Sequence, residues 1–292
     1  IMTFVMFDVS WPYHWLIQPS EQELQDLMLK NGVLALRYSE PLEAPDGKVS
    51  YHTFLKLPYS IETLKHQTRG GIRKGLNNSK IEQISFERLA TEGWLLQEDT
   101  LERQCRAGSM SQDEWERLCR AAEGLPGFEA WAAVVEGELA ASILTTRVDD
   151  TCYVLFAQSL RKYLTFHVNN ALFYTASCDM LARDGGAGIF FSLSSLDAPD
   201  SVDEFKFRMG FSARAVRQRV MFHPWVKPLA CQATHDMVAR MLERKPSDRT
   251  LAKAEGMLRF YLQGRLPIAA QEWPECLADQ KESLLQELAV GK

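Results

Sequence analysis

The sequence is poor in the signatures that mark common catalytic, targeting and metal-binding classes. No apolar run approaches the ~20 residues that a membrane-spanning helix needs. Ala130 to Val135 is among the longest, and it is strand-sized. None of the six cysteines forms a C-x-x-C. That argues against a zinc ribbon, a dithiol redox motif and a small disulfide scaffold. Reduced thiols and a cytoplasmic location are therefore expected. The six histidines are scattered and H-E-x-x-H is absent, so no metal is expected. There is no G-x-S-x-G elbow, no Walker A sequence and no G-x-G-x-x-G. Ile1 to Ile17 is apolar, but it lacks a basic stretch and Asp8 interrupts it, unlike a signal peptide. The net charge of -5 argues against a generally basic nucleic-acid binder.

What is present is ordinary in bulk and uneven in detail. The chain has 292 residues, 46% of them apolar and 24% charged. Such a chain suits roughly two domains and needs no disulfide or metal to hold a core. Two segments run against the acidic average. Ser60 to Lys80 carries five cations (Lys65, Arg69, Arg73, Lys74, Lys80) against one acid, Glu62. Phe205 to His235 carries six cations and no acid. Local fields of this kind attract anions. Lys65, Arg69 and Arg73 fall at i, i+4 and i+8, one stripe of a helix. Arg69 and Arg73 are candidates for holding phosphates, because a guanidinium offers two parallel bonds to oxygen. Ile61, Leu64, Thr68, Ile72 and Leu76 are the expected core face, and Gly70-Gly71 weakens the helix.

Strands are expected at 33–40 and 50–57, a helix near 60–76, a short strand near 81–86 and a helical stretch near 87–106. Ser111 and Glu114 form a capping-box pattern opening a helix at 111–123. Ala130 to Val135, Leu139 to Arg147 and Cys152 to Gln158 are joined by short polar turns and read as a meander. Asn169 or Asn170 is expected to cap a helix to about Arg183, ended by Gly185-Gly186. A strand at Ile189 to Leu193 follows, then a helix opened by Ser201 and Glu204 and stopped at Gly210, then a strand at 212–222. After Pro224 the pattern is helical at 229–243, 248–263 and 270–288. The expected division is an N-terminal α/β half at 1–125, a core at 126–224 and a helical appendage at 225–292. The W-P-Y-H-W cluster with Trp11 and Trp15 is expected to pack as a plug against the sheet.

The order β-β-β-α-β-α-β resembles the C-terminal part of the GNAT acyltransferase fold. Residues 69–76, R-G-G-I-R-K-G-L, are similar to the R-x-x-I-R-K helix of Fem-type peptidyltransferases and BioF2-like acyltransferases. Residues 205–211, F-K-F-R-M-G-F, resemble the phenylalanine-lysine…glycine-phenylalanine element after the fifth strand of those families. The resemblance covers about residues 60–222. It implies an α/β (α+β) fold: a mixed, mostly antiparallel GNAT-like sheet flanked by helices, with a helical C-terminal appendage. The N-terminal half is either a second, eroded GNAT-like unit or a simple cap.

The resemblance also implies chemistry. Lys206, preceded by Phe205, matches the Fem-family lysine that stabilises a tetrahedral intermediate. Electrostatic stabilisation of that kind is worth a few kcal/mol. Ordinary GNAT enzymes cradle the coenzyme A pyrophosphate on a glycine-rich loop and a helix N-terminus. Here the stretch from Gln158 to Asn170 has no glycine, so Arg161 and Lys162 are the candidates to supply charge in its place. His167, just before the expected helix cap, is the candidate base; Tyr153 and Asp179 are further ones. A substrate amine can also lose its proton through water. Three functions are carried forward. The first is an N-acyltransferase moving an acyl group from acyl-coenzyme A to a small-molecule or peptide amine. The second is a Fem-type transferase drawing on aminoacyl-tRNA. The third is a non-catalytic binder with a degenerate GNAT fold. The sequence leaves the oligomeric state open.

Overall fold

A computed structural model describes residues 5–9, 11–104, 110–183, 188–196 and 201–290. In chain order the elements begin with β1 (Val5–Val9), α1 (Glu21–Asn31), β2 (Val33–Glu40), β3 (Lys48–Leu55), α2 (His66–Asn78) and β4 (Lys80–Ile84). Next come α3 (Phe86–Arg103), α4 (Gln112–Ala122), β5 (Phe128–Val135), β6 (Glu138–Val148) and β7 (Thr151–Ser159). Then follow α5 (Val168–Ala182), β8 (Gly188–Leu193), α6 (Ser201–Arg208) and β9 (Ser212–Phe222). The chain goes on through α7 (Gln232–Arg244), α8 (Arg249–Gly264) and α9 (Lys281–Val290). The run β5-β6-β7-α5-β8-α6-β9 is the expected β-β-β-α-β-α-β order.

The contacts divide the chain into two compact units. One comprises 1–53, 192–199 and 213–292; the other comprises 54–191 and 200–212. This differs from the three consecutive segments that the sequence suggests. The reason is long-range pairing: β2, near the N-terminus, is hydrogen-bonded to β9, which lies about 180 residues later, and α8 covers both. The C-terminal segment is helical as expected, and its α8 packs on β2 and β9.

In the first unit β1 runs parallel to β2, and β2 runs antiparallel to β9, with Arg37 opposite Val220. Alternating side chains of a strand face opposite sides. Leu36, Tyr38 and Met221 take one side, under Leu24 and Met28 of α1. Ala35, Val220 and Phe222 take the other, under Met257, Leu258 and Phe260 of α8. A capping box of Ser20 and Glu23 opens α1, and Gly32 closes it in the left-handed conformation. The expected helix at 270–288 is broken: 3-10 turns at Ile268–Ala270 and Glu275–Gln280 precede α9. Pro274 stands at the start of the second turn and cannot continue a helix from before it. In the cluster expected to pack as a plug, Pro12 is buried while Trp11 and Trp15 are 48% and 45% exposed.

In the second unit β4, β5, β6 and β7 form an antiparallel meander, and β8 joins β7 in parallel. α5 packs on one side of it, burying Val168, Leu172, Phe173, Ala176 and Met180 among Ile143, Val154 and Ile189. On the other side α3 and α4 bury Phe86, Leu89, Trp115 and Cys119 against Ala130 and Leu144. Trp115 is fully buried, and its indole N–H donates to the Leu89 carbonyl at 3.2 Å. The Ser111–Glu114 capping box forms as read from the sequence. Burial pushes the Cys119 thiol up to about 12, so it stays protonated and inert.

Candidate active site

Two local features set the paths of β7 and β8 in the second unit. Their parallel pairing covers Thr151 to Tyr153 against Gly188 to Phe190 and then stops. The rest of β7, through Ser159, leaves β8. A bulge adds to this divergence: Leu144 pairs Phe156 but Thr145 pairs Val154, so Leu155 is an extra residue in β7. Bulges bend a strand and re-aim the residues that follow.

Lys206 stands on α6, which follows β8. It is 6% exposed, and its Nζ donates to Asp203 Oδ1 at 2.6 Å. The ammonium also lies 5.0 Å from the centre of the Phe191 ring, at the end of β8 in this unit. A carboxylate and an aromatic face are the partners that offset the cost of burying an ammonium. Phe205 makes an edge contact with Phe173 of α5, and Phe173 stacks on Phe191. The aromatic trio therefore locks the turn of helix that carries the lysine. After α6 the chain turns at Gly210, whose φ of 92° favours glycine, and the Phe211 N–H closes on the Lys206 carbonyl at 3.1 Å.

α2 reaches the same region from another direction. A side chain on Gly75 would lie 2.5 Å from the His167 carbonyl oxygen and 2.7 Å from Ala171 Cβ. One on Gly71 would lie 3.1 Å from His167 Nδ1 and 3.3 Å from Asn170 Nδ2. The two glycines let α2 approach the first turn of α5 closely. They therefore have a packing role, where the sequence suggested only a weakened helix. Gly70, next to them, meets nothing within 4 Å. Ile72 and Thr68 are buried as expected, while Leu76 is 43% exposed.

The expected cap of α5 is different in the structure. Neither Asn169 nor Asn170 caps it; His167 does so, at φ 59° in the left-handed region, with no side-chain cap bond. The expected Gly185-Gly186 stop and the Ser201 side chain lie outside the described residues. Asn169 Nδ2 donates to Ser159 Oγ at 3.1 Å, and Asn170 faces Met209 Sδ at 3.6 Å. His167 is thereby wedged between α2 and α5.

Arg161 and Lys162 begin the 3-10 turn Arg161–Phe166 that replaces a glycine-rich loop. Each is tied to a carboxylate. Arg161 pairs with Asp99 at 3.8 Å through its guanidinium and at 2.6 Å through its backbone N–H. Lys162 pairs with Glu138 at 2.6 Å, and Tyr163 donates to the same carboxylate. Those two bonds hold the Glu138 carboxyl below its usual range. By contrast, Lys65, Arg69, Arg73 and Lys74 of the α2 region make no salt bridge among the described residues. Lys65, Arg73 and Lys74 are exposed, and Arg69 is half-buried with its Nε lacking a hydrogen-bond partner.

The structure thus brings Lys206 and Phe205 together with α5, and places Gly71, His167, Asn170 and Met209 side by side. It turns Arg161 and Lys162 toward α3 and β6. Sequence reasoning missed Asp203, although its i, i+3 spacing to Lys206 on one helix was readable. It also missed the polar chain behind β7. Gln158 donates to Gln97 at 2.7 Å, and Arg103 reaches Ser159 Oγ at 3.2 Å. Those partners lie some 60 residues apart and leave no local pattern.

No protein-family model matches the sequence, and no curated protein is similar to it. The solved structures do give matches. FemX aligns with a TM-score of 0.53 at 10% identity, over 70% of this chain and 77% of that one. The chain shares the fold of FemX over that span. An aminoglycoside acetyltransferase from an uncultured soil metagenomic sample aligns with a TM-score of 0.36 at 14% identity, over 45% of this chain and 88% of that one. The C-terminal domain of a putative lysylphosphatidylglycerol synthetase from Agrobacterium fabrum aligns at 0.44 with 9% identity, over 68% and 73%. Among the described residues no helix is long and apolar enough to cross a membrane, and no group of three or more potential metal ligands occurs.

Proposed function

We propose that the protein is an amide-forming transferase that moves an aminoacyl group from a tRNA ester to a small-molecule or peptide amine. One observation carries the choice of donor. The cations of α2 make no salt bridge among the described residues, with Glu62 acting on Arg69 and Arg73 only at longer range, whereas Arg161 and Lys162 each pair with a carboxylate. A row of available cations on a helix suits a chain of phosphates. A closed, glycine-free turn with spent cations suits a coenzyme A pyrophosphate less well.

In this reading Lys206 supplies the electrostatic stabilisation. The acceptor nitrogen attacks the ester carbonyl, and the C–N bond forms as the carbonyl electrons move onto oxygen. One N–H of the Lys206 ammonium turns to that oxyanion while Asp203 holds another. Preorganised donors of this kind contribute most when buried. Collapse breaks the C–O bond, and the ribose hydroxyl leaves with the proton that the amine gives up through water.

A second reading keeps acyl-coenzyme A as donor and is favoured by the part of β7 after Tyr153 that does not pair with β8. An extended arm bearing amides adds to such a stretch as a strand does. Two experiments separate the readings. Transfer from charged tRNA to an amine, read by release of deacylated tRNA, supports the first. Micromolar binding of acetyl-coenzyme A, abolished by neutralising Arg161 and Lys162, supports the second and contradicts the first. Absence of transfer from either donor supports a non-catalytic binder.

A further inference from the structure

Two cavities of the first unit share Phe222 as a wall. One, of about 230 Å³, lies between the sheet and α7 and α8. Leu34, Val226, Leu229, Val238 and Leu258 surround it with Phe222, and Thr234 is the only lining residue with a hydroxyl. Apolar cavities of about 150 Å³ stay dry and accept a benzene ring. This one is larger, and α7, which forms part of it, has no fully buried residue. Its rim is apolar as well: Leu229 is 62% exposed and the adjoining Trp225 is 73% exposed.

The neighbouring cavity, of about 460 Å³, has a mixed polar and apolar lining. It holds Arg219, which bonds to Glu21 at 2.9 Å and to Asp46 at 3.4 Å. It also holds Lys227 and Arg265. Neither of these has a carboxylate partner among the described residues; Arg265 rests on Tyr261. Lys227 stands in the same turn as Val226 and Leu229, so one turn of chain presents apolar side chains to the first cavity and a cation to the second.

We propose that this unit binds a carboxylate bearing a single short alkyl chain. The chain enters the apolar cavity past Leu229, and the carboxylate is met by Lys227 with Arg265. The volume fits one chain, and the two cations without carboxylate partners fix the sign of the head group. The site is independent of the transferase reading.

Octanoate, octanol and acetate distinguish the parts of this proposal in calorimetry and thermal melting of the full chain. Octanoate is expected to bind and to raise the melting temperature. Octanol is expected to bind about tenfold more weakly, and acetate not at all. Lys227→Gln brings octanoate down toward octanol. Ala254→Leu and Val238→Phe fill the cavity from different walls, and each abolishes octanoate binding in a protein that still melts cooperatively. Octanoate binding no tighter than acetate overturns the proposal. So does octanoate binding that survives in a folded cavity-filled variant.

Discussion

α2 and the 3-10 turn before α5 both present cations to the surface of the same unit, and they differ in what faces those cations. In the turn, Asp99 and Glu138 come from α3 and from the start of β6 to meet Arg161 and Lys162. On α2 the single nearby acid is Glu62, whose carboxyl is held below its usual range by Ser60 first and by Arg69 and Arg73 after it. Counting cations along the chain gives five for the α2 region and two for the turn, but says nothing of what faces them. Placing their carboxylates separates them, because an incoming anion must displace Asp99 and Glu138 at the turn and has no paired carboxylate to displace on α2. Lys206 is a third case. Its pair with Asp203 is buried, so its charge is kept where water cannot screen it.

Several changes would break or sharpen this contrast. The largest effect is expected from Lys206→Met, which removes the buried cation. Transfer is predicted to fall about 10²–10³-fold in kcat, the range found when one oxyanion donor is lost. KM should change little, and Lys206→Arg should restore part of the rate. Next is the seating of α2, on which its cations depend. Gly75→Ala places a methyl 2.5 Å from the His167 oxygen. It is predicted to destabilise the protein by about 1–3 kcal/mol in denaturant unfolding, as overpacking does.

A buried group in the other unit tests the same rule with the sign reversed. His52 is fully buried, and Ser39 Oγ lies 2.8 Å from its Nε2. Burial first, then Arg214, Arg37 and His14, push its pKa down from 6.5 to about 3. The unfolded chain therefore takes up a proton between pH 6.5 and about 3 that the folded chain refuses. Stability falls as pH drops through that window. The loss from this group is up to about 2 kcal/mol at pH 5. Unfolding of His52→Gln should show a correspondingly flatter acid limb. The smallest effect is expected at Gly70, which meets nothing within 4 Å. Gly70→Ala should stabilise by about 0.5–1 kcal/mol. Equal effects at Gly70 and Gly75 would show that close packing of α2 on α5 is not what the glycines serve.

Much of the fold is legible locally. β2 occupies 33–40 and β9 occupies 212–222, the spans read from apolar patterning, and the Ser111 box opens its helix. The Ser20–Glu23 box, which opens α1, is equally local. What the sequence hid was long-range. Nothing near Arg161 shows that Asp99 will meet it, and nothing near Gly75 shows that His167 will crowd it. The R-G-G-I-R-K-G-L helix therefore looked weak when it was being shaped by a neighbour almost a hundred residues away. The two-unit division was hidden for the same reason, since it follows the pairing of β2 with β9.

The most direct test is the salt dependence of tRNA binding by three proteins: the natural sequence, Arg69→Gln/Arg73→Gln, and Arg161→Gln/Lys162→Gln. If α2 carries the phosphates, the first pair should flatten the slope of log affinity against log salt by about 1.5, at about 0.7–0.9 for each phosphate left without its cation. The second pair should leave the slope as it was. A slope flattened by the turn variant instead, or by neither, would contradict the account.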